Sequence, residues 1–309
     1  MAKEGWVTGS TRAAGGSRDY KLWVPSGLTK DNPVPLLMLL HGCTHSAEEM
    51  AEISGMNEIA NRNHFLVVYP EQSRLANLLK CWNWFDPKHQ ARDAGEPSIL
   101  AEIVRQVCAL YRVDSERVYA AGVSAGGAMA VIAAATYPDL FSALGVAAGA
   151  EFQAAQSVPE GLVVMKQGGP DPIQQGRAAF AAMKAGLARR PRKRLPVIVF
   201  HGTEDASVNP INADQIIAQW GETNACLAAE FGETEFSVSE KVVAEDVAQG
   251  HAYDRHIYAD QTGRLLMEKW IVKGLGHAWS GTAKEHKYCD PKGPNASEEI
   301  WRFFREAAS

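Results

Sequence analysis

Gly122-Val123-Ser124-Ala125-Gly126 spells G-x-S-x-G between a short apolar run and an alanine-rich segment. A serine on a sharp strand-to-helix turn can act as a nucleophile, and the glycines keep that turn clear of side chains. The helix that follows points free N–H groups and its positive dipole end at the site, which favours developing negative charge. G-x-G-x-x-G is not matched, which argues against a dinucleotide fingerprint, and no G-K-[ST] follows, which excludes a phosphate loop.

A serine nucleophile needs a base, and the base needs an acid that fixes its tautomer. His277 lies in a glycine-rich loop after the last apolar run, in Gly276-His277-Ala278-Trp279. It is the candidate base. Earlier, residues 197–200 lead into His201-Gly202-Thr203-Glu204-Asp205. Asp205 precedes a turn-rich segment and is preferred to Glu204 as the orienting acid. Serine, then acid, then histidine is the chain order of α/β-hydrolases. Residues 36–40 end in His41-Gly42-Cys43-Thr44, where that fold takes its second oxyanion donor. The backbone N–H groups of Cys43 and Ala125 are the expected pair. Losing one such donor typically costs about 100- to 1000-fold in rate. His251, His256 and His286 are read as surface residues. No ligand-grade cluster accompanies them, so neither metal nor cofactor is assigned.

Short unbroken apolar runs recur at 20–24, 36–40, 65–69, 117–121, 144–148, 197–200 and 267–272. Such runs suit strands covered on both faces. Helical patterns alternate with them. Ile99, Ile103, Val107 and Leu110 share one face, residues 129–137 are alanine-rich, residues 174–187 read as a helix, and Ile300, Phe303 and Phe304 stripe the last one. Alternating strands and helices predict a doubly wound α/β domain with a mostly parallel, twisted sheet and helices on both faces. Residues 236–258 depart from this pattern and read as an antiparallel hairpin turning near Gln249-Gly250.

The 309 residues are 46% hydrophobic and 22% charged, with a net charge of -5 and both signs scattered. One catalytic domain without a separate polymer-binding domain accounts for this length. Nucleic acid is not expected as a partner, because phosphate binding requires a clustered basic face. The one basic run, Arg189 to Arg194, is broken by Pro191 and reads as a solvated connection. No apolar run reaches the roughly 18 residues of a membrane span. The polar, glycine-rich start is not a signal peptide. The chain is therefore either cytoplasmic or begins after a removed signal. Cys108 sits on the apolar side of a helix and reads as a buried thiol, while Cys43, Cys81, Cys226 and Cys289 could form two disulfides. The sequence fixes no oligomeric state.

His41-Gly-Cys-Thr44, Cys81-Trp-Asn-Trp-Phe85, Gly122-Val-Ser-Ala-Gly-Gly127, His201-Gly-Thr-Glu-Asp205 and Gly276-His-Ala-Trp-Ser-Gly281 occur in this order. Together they resemble the esterase/polyhydroxybutyrate depolymerase family of α/β-hydrolases, over roughly residues 17–306. The resemblance implies Ser124, Asp205 and His277 as catalytic triad and an ester as substrate. Short-chain polyhydroxyalkanoate, as polymer or oligomers, is the first expectation. Feruloyl or acetylxylan ester hydrolysis is the alternative, a peptidase is a weaker rival, and a silent hydrolase-fold binding protein is the non-enzyme reading. The family pattern also suggests a Cys43–Cys81 disulfide, and with it a secreted or periplasmic protein. Trp82, Trp84 and Trp279 become candidate substrate walls. One departure stands out: His45 occupies a position where relatives often carry glutamine.

Overall fold

A computed structural model describes residues 4–28, 32–233, 236–247, 250–282 and 286–307. The chain opens with β1 (Gly5–Ala13), β2 (Gly16–Val24) and β3 (Val34–Leu40). Helices α1 (Ala47–Ser54) and α2 (Met56–Asn63) lead to β4 (Leu66–Pro70). After a long loop come α3 (Gly95–Leu110), β5 (Val113–Val123), α4 (Ala125–Thr136) and β6 (Ala143–Ala147). Then follow α5 (Val158–Gln167), α6 (Pro172–Leu187), β7 (Val197–Gly202) and α7 (Ile211–Glu230). The last part holds β8 (Val238–Glu245), β9 (Tyr253–Asp260), β10 (Leu265–Val272), the short pair β11 (Trp279–Ser280) and β12 (Cys289–Asp290), and α8 (Ala296–Ala307).

Ten strands form one sheet in the order β1-β2-β4-β3-β5-β6-β7-β10-β9-β8. From β4 to β10 all neighbours are parallel, while β1 and β2 at one edge and β9 and β8 at the other run antiparallel. Side chains alternate across a strand. Leu36, Met38 and Leu40 of β3 accordingly join the core under α3, α4, α6 and α7. Leu37 and Leu39 join the other core, under α1, α2 and α8. The central strands need apolar residues at every position because both faces are covered, as the unbroken runs predicted.

The structure lengthens the predicted elements and adds some. The expected run 117–121 falls within β5, whose residues 118–123 are buried and whose residues 115–117 are exposed. Strand β1 has no apolar alternation to announce it, because most of its residues face solvent at the sheet edge. The hairpin of β8 and β9 is present, with Gln249 of its expected turn outside the described residues. The basic run corrects its reading as a solvated connection. It is pinned to the surface: Arg190 pairs with Glu116, Arg192 Nε donates to Pro138 O (2.7 Å), and Arg194 pairs with Glu233. Among the described residues no helix is long and apolar enough to cross a membrane.

Candidate active site

Ser124 joins the end of β5 to the start of α4 with φ 57°, in the left-handed region that a side chain rarely occupies. Its N–H donates to Ala147 O at 2.9 Å, so β6 holds the turn. A methyl on Gly122 would overlap the Gly126 carbonyl, and one on Gly126 would overlap the carbonyls of Leu40 and His41. Only glycine lets β3, β5 and α4 meet this closely. Helix α4 is buried along its whole length and has no side-chain cap. Its first N–H groups, Ala125 among them, are thus left for another acceptor.

The loop after β3 is anchored from several directions. Thr44 N–H donates to Leu79 O (2.6 Å), and Cys43 is disulfide-bonded to Cys81. His41 Nδ1 donates to Gly42 O (2.7 Å) while its Nε2 accepts from Gln72 N–H (3.0 Å), which sets the tautomer. Burial lowers the His41 pKa and keeps the ring neutral. Trp82 Nε1 donates to His41 O at 3.1 Å. Trp82 is fully buried and lines neither cavity beside Ser124, so its reading as a substrate wall is corrected. Its indole is spent on bracing the loop from behind.

His277 follows β10, and its Nδ1 donates to Asp205 Oδ2 at 2.7 Å. Asp205 Oδ1 accepts from the N–H groups of Ser207 (2.9 Å) and Val208 (2.8 Å). Burial alone would raise the Asp205 pKa. The histidine contacts from His201 and His277, with the Val208 N–H, outweigh it and hold the carboxyl well below the usual carboxylate range. Asp205 is buried, whereas Glu204 is exposed. His201 was not singled out from the sequence, although it sits in the same motif. It is buried, with Nε2 donating to Val208 O (2.9 Å) and lying 3.4 Å from Asp205 Oδ2.

Two cavities meet at Ser124 and share Cys43 and Met165 as a divide. The smaller, about 40 Å³, is lined mainly by Trp84, Ala125, Ala128, Ala150, Val164 and Asn212. The larger, about 230 Å³, is lined by His277, His45, Ser207, Trp279 and Tyr288 among others. Trp84 and Trp279 therefore border the site, each offering little surface. Met165 and Val164 lie on α5, and no motif in the sequence marks them. Two of the histidines read as surface residues stay apart from this cluster: His251 bonds Asp290 (2.9 Å) and His256 bonds Glu240 (2.7 Å), whereas His286 accepts from Tyr288 N–H (3.2 Å) and its ring lies 6.3 Å from that of His45. Cys289 Sγ donates to Ile53 O and is not paired with Cys226, which faces Glu222 on its own helix. Burial raises the Cys108 thiol pKa to about 11, as suits a packed, inert cysteine.

Residues 18–242 match the family described as Esterase PHB depolymerase. The chain is 30% identical to Poly(3-hydroxyalkanoate) depolymerase C of Paucimonas lemoignei over 255 residues, covering 82% of this chain and 56% of that protein. It is 31% identical to Feruloyl esterase B of Thermothelomyces thermophilus over 212 residues, covering 64% of this chain and 68% of the relative. Among solved structures, the acetyl xylan esterase from Aspergillus awamori superposes with a TM-score of 0.72 at 19% identity, over 97% of this chain and 100% of the other. That likeness bears out the α/β-hydrolase fold.

Proposed function

The chain belongs to the Esterase PHB depolymerase family, and from that premise we propose that it is a carboxylic ester hydrolase acting through an acyl-enzyme on Ser124. The observation that carries this reading is the strained Ser124 at the meeting point of two cavities, one of which is also lined by His277, itself hydrogen-bonded to the buried Asp205. Ser124 Oγ attacks the ester carbonyl carbon and gives its proton to His277 Nε2. Asp205 keeps Nδ1 protonated and stabilises the imidazolium. The N–H groups of Cys43 and Ala125 receive the oxyanion. The imidazolium then protonates the leaving alcohol, and water, activated by the same imidazole, releases the acid.

The leaving oxygen must be reached by His277, so the alcohol portion occupies the larger cavity and the acyl chain the smaller. A volume of about 40 Å³ walled by alanine and valine takes only a few heavy atoms. This favours short acyl groups, such as hydroxybutyryl or acetyl, over feruloyl. Short-chain polyhydroxyalkanoate, as oligomer or polymer, is the substrate we infer, and acetylated polysaccharide is the second reading, since acetyl also fits. The Cys43–Cys81 bridge supports an oxidising compartment, secreted or periplasmic.

The test is a hydrolysis panel of hydroxybutyrate oligomers, acetylated xylan, feruloyl esters and nitrophenyl esters of rising chain length, run beside Ser124→Ala. The variant is expected to lose about 1000-fold or more in kcat while staying folded. A serine-directed phosphonate should label Ser124. Retained turnover in the variant, or palmitate esters cleaved as well as butyrate, would overturn the reading.

A further inference from the structure

The reaction above leaves one buried titratable side chain in the larger cavity without a task. His45 is 6% exposed, and neither ring nitrogen has a hydrogen-bond partner. A buried polar atom left unpaired is costly, so two on one ring call for an explanation. His201, behind Asp205, leaves only Nδ1 without a partner. His41 uses both nitrogens and His277 is held by Asp205.

The ring faces the reacting centre. A methyl placed on Gly42 would lie 3.5 Å from His45 Nδ1 and 3.5 Å from Ser124 Cβ. Both residues thus border the space beside Gly42, and both line the larger cavity. The Tyr288 ring packs edge-on against it with centroids 4.4 Å apart, which limits its rotation. Its backbone belongs to the loop tied down by the Thr44–Leu79 hydrogen bond and the disulfide. Both nitrogens are unfilled beside the larger cavity, and a small turn of the ring toward it presents one of them to a ligand.

We propose that His45 is a specificity-determining residue that holds an oxygen on the alcohol portion of the ester, a carbonyl or hydroxyl a few bonds from the scissile oxygen. This rests on the esterase reading and on the alcohol occupying the His277 side. Burial lowers the His45 pKa to about 4, against the opposing pull of Glu49, so the ring is neutral at working pH. A neutral imidazole presents one donor and one acceptor. It therefore suits an uncharged oxygen better than a carboxylate. An alkyl alcohol without such an oxygen would bury the ring further and leave both nitrogens unpaired. A site built around a hydrogen bond discriminates against ligands that lack it.

Two esters with one acyl group separate the possibilities: methyl 3-(butanoyloxy)butanoate and sec-butyl butyrate. Both release butyrate from a secondary carbinol, and only the first carries a carbonyl on the alcohol. Wild type should favour the first by about tenfold or more in kcat/KM, the worth of one good hydrogen bond. His45→Phe keeps a ring against Tyr288 but removes both nitrogens, and should bring the ratio close to one, chiefly through KM. His45→Gln, which can still donate, should restore much of the preference. Absence of preference in wild type, or its survival in His45→Phe, would overturn the inference while leaving the esterase reading intact. The wild-type comparison needs no variant to fold. If wild type releases butyrate from neither ester, the esterase reading fails and this inference fails with it.

Discussion

Each wall beside Ser124 hides one buried glutamate, and the two live in opposite surroundings. Glu96 stands behind the oxyanion loop. It accepts from Asn83 N–H (2.8 Å), Asn83 Nδ2 (2.8 Å) and Gln72 Nε2 (2.5 Å), and it pairs with Arg18 at 3.1 Å. Gln72 also braces His41 and, through Nε2, bonds Cys81 O (2.9 Å), so this carboxylate ties both ends of the disulfide segment together. Glu151 stands behind the small cavity, just after Ala150, which lines it. Both its oxygens are buried without a partner. The difference follows what each wall must do. Oxyanion donors act only if they are already in place when charge develops. Their support is therefore a saturated polar network. The opposite wall has only to be apolar and closely fitting, and a carboxyl is tolerated there as a neutral acid.

The largest effect is expected from breaking the saturated side. Glu96→Ala would leave the buried Arg18 charge without its carboxylate and the two Asn83 donors unpaired. Removing one partner of a buried ion pair costs about 3–5 kcal/mol. Urea unfolding should show a loss of that size, and Glu96→Gln a smaller one. A loss under about 1 kcal/mol would mean that the network is incidental to this wall. Next comes the covalent tie. Replacing Cys43 and Cys81 together by serine should cost about 2–4 kcal/mol. Because Cys43 is also a proposed donor, kcat should fall with little change in KM. If melting and turnover were both unaffected, the Trp82 and Thr44 contacts would suffice to hold the loop.

How far the sequence announced this comparison depends on how local each signal is. Ser124 and its glycines were legible because a strained turn tolerates few residue types, and those types sit side by side. Asp205 and His277 were legible because both follow apolar strands whose ends must converge at one edge of a parallel sheet. Met165, Asn212 and Tyr288 were not. They reach the cavities from α5, α7 and the segment before β12, and such placement comes from tertiary packing, which leaves no periodic trace. Trp82 misled for the opposite reason. Its motif marks it as special without saying on which side of the loop the indole lies. Nothing in the sequence separates Glu96 from Glu151, since partners 13 to 78 residues away satisfy the first.

The smallest expected effect probes the unsatisfied side. Burial, helped by nearby Asp171, raises the Glu151 pKa to about 8 from an ordinary 4.5. A group whose folded pKa is raised binds its proton more tightly in the folded state. Its contribution to stability is full below the unfolded value and is lost as pH rises through the folded value. Between about pH 5 and 8 the unfolded chain has released this proton and the folded chain has not. Stability should then fall by about 1.4 kcal/mol per pH unit from this group alone. The carboxyl packs against Gly169 just beyond α5, where a Cβ would come within 2.6 Å of Oε1, and both its oxygens are buried. Glu151→Gln cannot ionise. Its unfolding free energy between pH 6 and 7 should therefore drop less than that of the wild type, by about 1 kcal/mol. Parallel pH profiles for the two proteins would show that Glu151 finds a partner on ionising, and that the two walls differ less than their hydrogen bonds indicate.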